Sequence, residues 1–324
     1  MHVAIIGGAS TIGSTFAYTI IANNPNADVT IVEKAEDAAW GHATDITHSQ
    51  YHFADSPKEG SSASGTIESI GTDELETIEP DVVVITARAP LEIDPKEAEN
   101  GDVRKKELAG NVPIIDNIAT QLRSIGPLPV IVVTNPIDRI TYRLWDRLKW
   151  DRERFLGFSL AETARAAETI ASLYDVHPSK VYCPTMGEHG DNVVPIFSKA
   201  TVNGDRVSLS EEQRAEITER VLEIPFKIAE GRGIEDSSRW VTSAGLSRVL
   251  RNMFDETLQD HLCLSVPVDG EYGLEDGCLS IPVELNESGV KRTIEWDLSS
   301  SEAQRVETAH NNIQTDINRL DTFN

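Results

Sequence analysis

The sequence predicts an α/β fold in which a doubly wound parallel sheet is followed by an α+β domain. Three observations support this prediction. Four short segments near the start of the chain are continuously apolar, as parallel strands buried on both faces are; they cover residues 3–6, 29–32, 82–86 and 130–134. Segments with helical periodicity lie between them, including 11–21 and 114–125. This alternation is typical of βαβ units, and it stops near residue 143.

The second half of the chain mixes helices and strands. We predict a helix over 160–174, strands over 181–186 and 193–202, and a hairpin of 279–285 with 290–296. Ser210 opens a capping box and a long helix, which Pro225 should kink and Gly231 should close. Residues 301–304 should cap a last helix. We therefore divide the chain into domains at 1–142 and 143–324.

The composition excludes several classes of partner. The formal net charge is −24 and the sequence pI is near 4.6, which argues against nucleic acids and anionic membrane surfaces. Only 10 of the 29 basic residues are Lys, against 53 Asp plus Glu. Molar salt shortens the Debye length to about 3 Å and screens such self-repulsion. The composition therefore predicts adaptation to a cytoplasm of molar salt.

Cysteine usage and the N-terminus predict a cytoplasmic location. Cys183, Cys263 and Cys278 are odd in number and form no CxxC pair, which fits a reducing compartment without disulfides or a zinc site. Residues 3–6 form an apolar segment directly after Met1 and His2, so we expect no signal peptide. The apolar segments are too short to span a bilayer.

A glycine-rich turn follows the first predicted strand. Gly7 and Gly13 let the backbone approach a pyrophosphate, which the N–H groups of the next helix would hold. Glu33 lies 20 residues after Gly13, at the end of the second strand. There a carboxylate can accept the ribose hydroxyls and repel a 2′-phosphate, which favours NAD over NADP. The turn, the spacing and the acid predict a Rossmann sheet and a dinucleotide-binding domain over 1–142.

A histidine lies between two glycines and two acids in the segment Gly187-Glu188-His189-Gly190-Asp191. Histidine can give and take a proton near neutral pH. Together with Val194-Pro195 and Phe197-Ser198, this segment resembles the active-site signature of the NAD-dependent lactate/malate dehydrogenase family. The resemblance implies that His189 is the catalytic acid/base.

The resemblance also implies roles for three other charged residues. The family has Asp-x-x-Arg where this chain has Glu162 and Arg165, and there the Arg binds the substrate carboxylate while the acid orients the histidine. Gly101-Asp102-Val103-Arg104 resembles the Gly-x-x-Arg of the family's mobile active-site loop, whose Arg polarises the substrate carbonyl. A shift by one residue would give that position to Lys105, but only Arg104 keeps the fork geometry.

Further positions match the family in part. Asn135, in Thr134-Asn135-Pro136, would contact the nicotinamide side and the substrate, Ser238 would supply a substrate hydroxyl, and Ala87 would contact the cofactor. Ser10 replaces the middle glycine of the family's cofactor turn, where it would still lie against NAD.

The chain departs from the family pattern after Ala87. The order is Arg88-Ala89-Pro90-Leu91, whereas malate enzymes have an Arg after the Pro that reads the far end of the substrate. Arg88 or Lys96 could take over the pairing with a second carboxylate.

One group of residues could suggest a metal site. Asp45, His48, His52 and Asp55 could offer ligands along a helix face. We interpret them instead as part of a polar helix near a subunit contact, because the family needs no metal. The resemblance thus implies a homotetrameric or homodimeric NAD-dependent 2-hydroxyacid dehydrogenase, most simply one for malate. A lactate or bulkier 2-hydroxyacid enzyme, or an inactive NAD-binding paralogue, stays open.

Overall fold

The computed structural model describes residues 1–53, 60, 63–90, 103–233, 238–258 and 260–323. The strands are β1 (His2–Ile6), β2 (Asp28–Val32), β3 (Ile67–Ile70), β4 (Val82–Ile85), β5 (Val130–Val132), β6 (Phe155–Gly157), β7 (Val181–Tyr182), β8 (Thr185–Gly187), β9 (Val193–Pro195), β10 (Thr201–Val202), β11 (Asp205–Arg206), β12 (Leu262–Asp269), β13 (Glu275–Asn286) and β14 (Gly289–Thr293). The α-helices are α1 (Thr11–Asn23), α2 (Glu36–Phe53), α3 (Val103–Ile125), α4 (Ile137–Leu148), α5 (Leu160–Tyr174), α6 (Glu211–Arg232), α7 (Arg239–Phe254) and α8 (Ser300–Ile317).

Six strands form a parallel sheet in the order β3-β2-β1-β4-β5-β6. This is the strand order of dinucleotide-binding doubly wound folds, so the predicted fold class is confirmed. The four predicted strands are β1, β2, β4 and β5. Their central residues are almost fully buried because helices cover the sheet, as in parallel sheets generally. Since β6 pairs with β5, the parallel sheet continues past the division at 142/143, which stays a prediction.

The sheet continues into the second half of the chain. Gly157 of β6 pairs antiparallel with Ser265 of β12, and β13, β8 and β9 follow in order. With β14 beside β13, the described residues contribute 11 strands to this sheet. A second sheet has the order β11-β10-β7. The antiparallel strands bring the turn between β8 and β9 next to the carboxyl ends of the parallel strands, where doubly wound folds bind ligands.

Several local predictions are confirmed and others are corrected. The hairpin forms between β13 and β14, and α5 has its predicted bounds. The two strands predicted over 181–202 are instead four short ones, β7 to β10. The helix α6 runs through Pro225 and Gly231 and ends at Gly233, whose φ of 63° closes it. Helix α8 is capped by Ser299 and Glu302, not by Ser301, because Ser299 has the extended conformation of an N-cap.

All three cysteines are buried and free. Over the ranges given above, no helix is long and apolar enough to cross a membrane.

Candidate active site

A carboxylate on α5 joins two of the predicted site residues. Glu162 lies in the first turn of α5, and Arg165 is one turn further along the same face. Arg165 Nη1 donates to Glu162 Oε1 at 2.9 Å, and His189 Nδ1 donates to Glu162 Oε2 at 3.0 Å. The structure therefore brings together Glu162, Arg165 and His189.

The charge of Glu162 is held by these two partners. Burial alone would raise the pKa of the Glu162 carboxyl, but the charge and hydrogen bond of His189 and the charge of Arg165 lower it to about 2. The buried carboxylate therefore stays ionised near neutral pH. An ionised Glu162 fixes the His189 ring with Nδ1 as donor, which leaves Nε2 as the nitrogen that faces other partners.

Asp138, which was not predicted from the sequence, holds the main chain of the His189 turn in place. His189 lies between the paired strands β8 and β9, and its main-chain N–H donates to Asp138 Oδ2 at 2.9 Å. Asp138 is fully buried, and burial raises the pKa of its carboxyl against the opposing charge of Arg139. An acid two residues after Pro136 was the available signal, because polar residues at that sheet edge often lie in the site.

Arg104 also lies against the His189 turn. Its Nη1 is 3.4 Å from both the His189 main-chain oxygen and Glu188 Oε1, and its Nη2 is 3.3 Å from Asp191 Oδ1. Glu107, one turn further along α3, was also missed from the sequence. Burial raises the pKa of this half-buried acid, while the charges of Arg104, Arg88 and His189 oppose the rise.

The glycine-rich turn has the geometry of a phosphate-binding turn. Gly7 has φ 82°, and a Cβ there would lie 2.4 Å from the Ala87 nitrogen, so only glycine fits between β1 and the end of β4. Ser10 is the N-cap of α1 and its Oγ accepts from Gly13 N at 3.1 Å. Glu33 follows β2 directly, and Gly7 N donates to the neighbouring Val32 oxygen at 2.9 Å. The turn, the start of α1 and Glu33 thus share one sheet edge.

Asn111 links the segments that contain Ala87 and Asn135. This buried side chain accepts from Ala89 N at 2.7 Å and donates to the Asn135 oxygen at 2.7 Å. Thr134 Oγ1 donates to the Ala87 oxygen at 2.7 Å. Sequence reasoning missed Asn111, although an amide inside an apolar helix face was a usable signal.

Two other predicted residues, Ser238 and Arg88, lie at the start of α7 and after β4. Ser238 is the N-cap of α7, and its Oγ is buried with no hydrogen-bond partner among the described residues. Arg88 is exposed. Leu91, Lys96, Gly101 and Asp102 lie outside the described residues.

The suggested metal ligands Asp45, His48 and His52 lie on α2, while Asp55 lies outside the described residues. Across the described ranges, no group of three or more His, Cys, Asp or Glu side chains could hold a metal ion.

Comparison with known families shows matches along nearly the whole chain. Residues 1–157 match the lactate/malate dehydrogenase NAD binding domain, and residues 161–324 match the lactate/malate dehydrogenase alpha/beta C-terminal domain. A malate dehydrogenase of Haloferax volcanii is 29% identical over 311 residues, which are 95% of each chain. A malate dehydrogenase of Pyrobaculum islandicum is 32% identical over 244 residues, covering 74% of this chain and 76% of that one.

Solved structures have the same fold. The malate dehydrogenase from Salinibacter ruber superposes with a TM-score of 0.85 at 26% identity, over 99% of this chain and 98% of that chain. The lactate dehydrogenase from Cryptosporidium parvum, complexed with lactic acid and β-nicotinamide adenine dinucleotide, gives 0.87 at 24% identity, over 99% and 98%.

Proposed function

Because the chain belongs to the lactate/malate dehydrogenase family, we propose that it interconverts malate and oxaloacetate with NAD(H) as the hydride carrier. The chain is an NAD-dependent 2-hydroxyacid dehydrogenase. The choice of malate is supported by relatives of that name over most of the chain. The site supports a 2-keto acid in general, since cations and a proton donor are what such a substrate requires.

Two features of the site carry the proposal. The Glu162 carboxylate accepts from both Arg165 and His189, and the Arg165 Nε–H is left as a donor for a substrate. Arg165 uses Nη1 for Glu162, while its Nε is buried and has no hydrogen-bond partner among the described residues. A buried N–H without a partner is costly, so a carboxylate that accepts from it is bound favourably. Arg165 can therefore hold the substrate carboxylate beside the histidine that Glu162 orients.

His189 supplies the proton in this mechanism. With Nδ1–H directed at Glu162, its Nε2–H would donate the proton to the keto oxygen of the substrate. Neutral His189 accepts that proton in the reverse direction. Glu162 stabilises the imidazolium form because it stays ionised inside the protein. Arg104, which lies against the His189 turn, would polarise the keto oxygen.

The cofactor would lie along the shared sheet edge. NADH supplies the hydride. Gly7 and Gly13 leave room for the pyrophosphate at the start of α1, where free helix N–H groups bind anions. Glu33 would accept the ribose hydroxyls. Ser10 and Ala87 would line this edge, while Asn135 and Ser238 would contact the nicotinamide side and the substrate.

We also infer a cytoplasmic homodimer or homotetramer. Trp40 and Tyr51 are each 65% exposed on α2, and such aromatic side chains in water favour a subunit contact. Three free, buried cysteines fit a reducing compartment. The acidic composition supports a cytoplasm of molar salt.

A substrate panel tests the proposal. NADH oxidation in molar KCl should give the highest kcat/KM with oxaloacetate, compared with pyruvate and branched 2-keto acids. A preference for the other acids would favour the alternative that Leu91 suggests, and no turnover would favour an inactive paralogue.

A variant of Arg165 tests the site itself. Arg165→Lys keeps the charge but loses the fork, so KM for the keto acid should rise at least tenfold, a typical cost for one charge-assisted contact of about 1.4 kcal/mol. Arg220→Lys makes the same change in an exposed pair with Glu168 and should leave KM unchanged.

A further inference from the structure

The guanidinium of Arg104 lies on the main chain of the His189 turn. Gly190 has φ 145°, and a Cβ built there would lie 1.6 Å from Arg104 Nη1 and 2.2 Å from Cζ. The guanidinium therefore occupies the space that any side chain at residue 190 would fill. Glycine at this position serves a contact as well as a backbone conformation.

Three acceptors of the same turn surround this guanidinium. They are Glu188 Oε1, the His189 oxygen and Asp191 Oδ1, at 3.3–3.4 Å. These distances are long for charge-assisted hydrogen bonds, which are about 2.7–2.9 Å. Each contact is therefore weak, and Arg104 can give up one of them for a substrate oxygen without leaving the turn.

Glu188 itself is fixed firmly. It is 2% exposed, and its Oε1 accepts from Arg139 Nη1 at 2.5 Å while Oε2 accepts from Asn192 at 2.5 Å and Asn312 at 3.2 Å. Burial would raise the pKa of Glu188, but Arg139, Asn192 and Arg104 lower it, so the group remains an anion. A rigid anion thus faces a loosely held cation.

The position of Arg104 in its helix explains why counter-charges matter. Arg104 lies in the first turn of α3, which has no acidic residue in that turn. The positive end of the helix dipole disfavours a cation there. The anions of the His189 turn therefore add to Glu107 of the same helix in balancing the charge of the guanidinium.

We propose that Glu188 and Asp191, with the Gly190 main chain between them, form a docking site that positions Arg104 beside His189 for the keto oxygen. This inference rests on the proposed function. Glu188 and Asp191 are then positioning residues: they act on the substrate only through Arg104.

Two variants test the docking, and a third controls for it. Glu188→Gln and Asp191→Asn each remove one anionic partner of Arg104. Asp316 Oδ2 lies 2.9 Å from Arg139 Nη2. Asp316→Asn therefore removes an anionic partner of Arg139 and leaves the partners of Arg104 unchanged. Asp191 is exposed, so Asp191→Asn should fold even if the buried Glu188→Gln does not.

The first readout does not depend on the substrate. Arg104 is one-third exposed, so phenylglyoxal should modify it slowly when docked and faster when released. Peptide mass spectrometry should show adducts on Arg104 forming at least about threefold faster in Glu188→Gln and Asp191→Asn, and at the wild-type rate in Asp316→Asn. Equal rates in all four proteins would overturn the docking site.

The second readout is a double-mutant cycle. In the wild-type background, Glu188→Gln should lower kcat/KM for oxaloacetate about tenfold. In an Arg104→Ala background, the same substitution should lower kcat/KM by less than about twofold. A loss of the same size in both backgrounds, or an unchanged or increased kcat/KM in the single variants, would refute the positioning role. If the unmodified chain reduces no keto acid, the proposed function fails while the adduct rates still decide the docking.

Discussion

Replacing Glu162 by Gln should separate the charge of this residue from its shape. The pKa of Glu162 falls from its ordinary 4.5 to about 2 through His189 and Arg165. This net fall corresponds to about 3 kcal/mol, at 1.36 kcal/mol for each pKa unit. In Glu162→Gln the imidazolium that forms at His189 loses the anion hydrogen-bonded to its Nδ1. We therefore expect kcat for keto-acid reduction to fall by about 30- to 200-fold.

The assay is steady-state NADH oxidation in molar KCl at neutral pH, where Glu162 is ionised. Glu162→Asp keeps the charge and restores the acid that the family has here, so it should retain more activity than Glu162→Gln. Glu168→Gln makes the same change at an exposed position of α5 and serves as the matched control. A kcat in Glu162→Gln within threefold of the wild type would show that the carboxylate does not act on the histidine.

Three further predictions concern the acid/base, the cofactor and the surface. His189→Asn should leave NADH binding, measured by fluorescence titration, nearly intact and remove turnover by several orders of magnitude; a variant that keeps more than about a tenth of the wild-type kcat would contradict the acid/base role. Glu33→Ala should lower the ratio of kcat/KM for NADH over NADPH, since the variant loses both a ribose acceptor and the repulsion of a 2′-phosphate. An unchanged ratio would mean that Glu33 does not lie at the ribose. With a net charge of −24, the assembly should dissociate or unfold as KCl falls from molar to about 0.01 M, where the Debye length reaches about 30 Å. Circular dichroism and sedimentation measure this, and an unchanged size and melting temperature at low salt would show that the acidic surface is ordinary solvation.

The strands that were predicted from the sequence are those whose burial on both faces produces a continuous apolar segment. Strands β1, β2, β4 and β5 are covered on both faces and therefore read as continuous apolar segments. Strand β3 at the edge of the sheet has no fully buried position, and β6 is a three-residue segment without β-branched residues, so neither was predicted. The ends of α6 and α8 were misplaced by two residues because each offers two candidate caps, Gly231 or Gly233 and Ser299 or Ser301.

The candidate site followed a similar division. Glu162, Arg165, His189 and Arg104 were predicted through motifs, and the structure brings them together. Asp138 and Asn111 were not, because their roles arise from main-chain atoms of distant segments. Asp138 meets the His189 N–H, and Asn111 joins Ala89 to Asn135. Such pairings depend on the tertiary fold, so the sequence marks both residues as polar in an apolar setting but does not give their partners.

The pairing of β6 with β12 has a mechanical consequence. Because one sheet runs from β3 to β9, a hinge rotation of one half against the other would break buried strand pairs at Gly157 and Ser265. The cofactor edge and the His189 turn are therefore parts of one rigid frame. Amides on either side of the seam should share a single opening free energy in native-state hydrogen exchange. Arg104 on α3 lies against this frame and can therefore meet a substrate without any movement of the sheet.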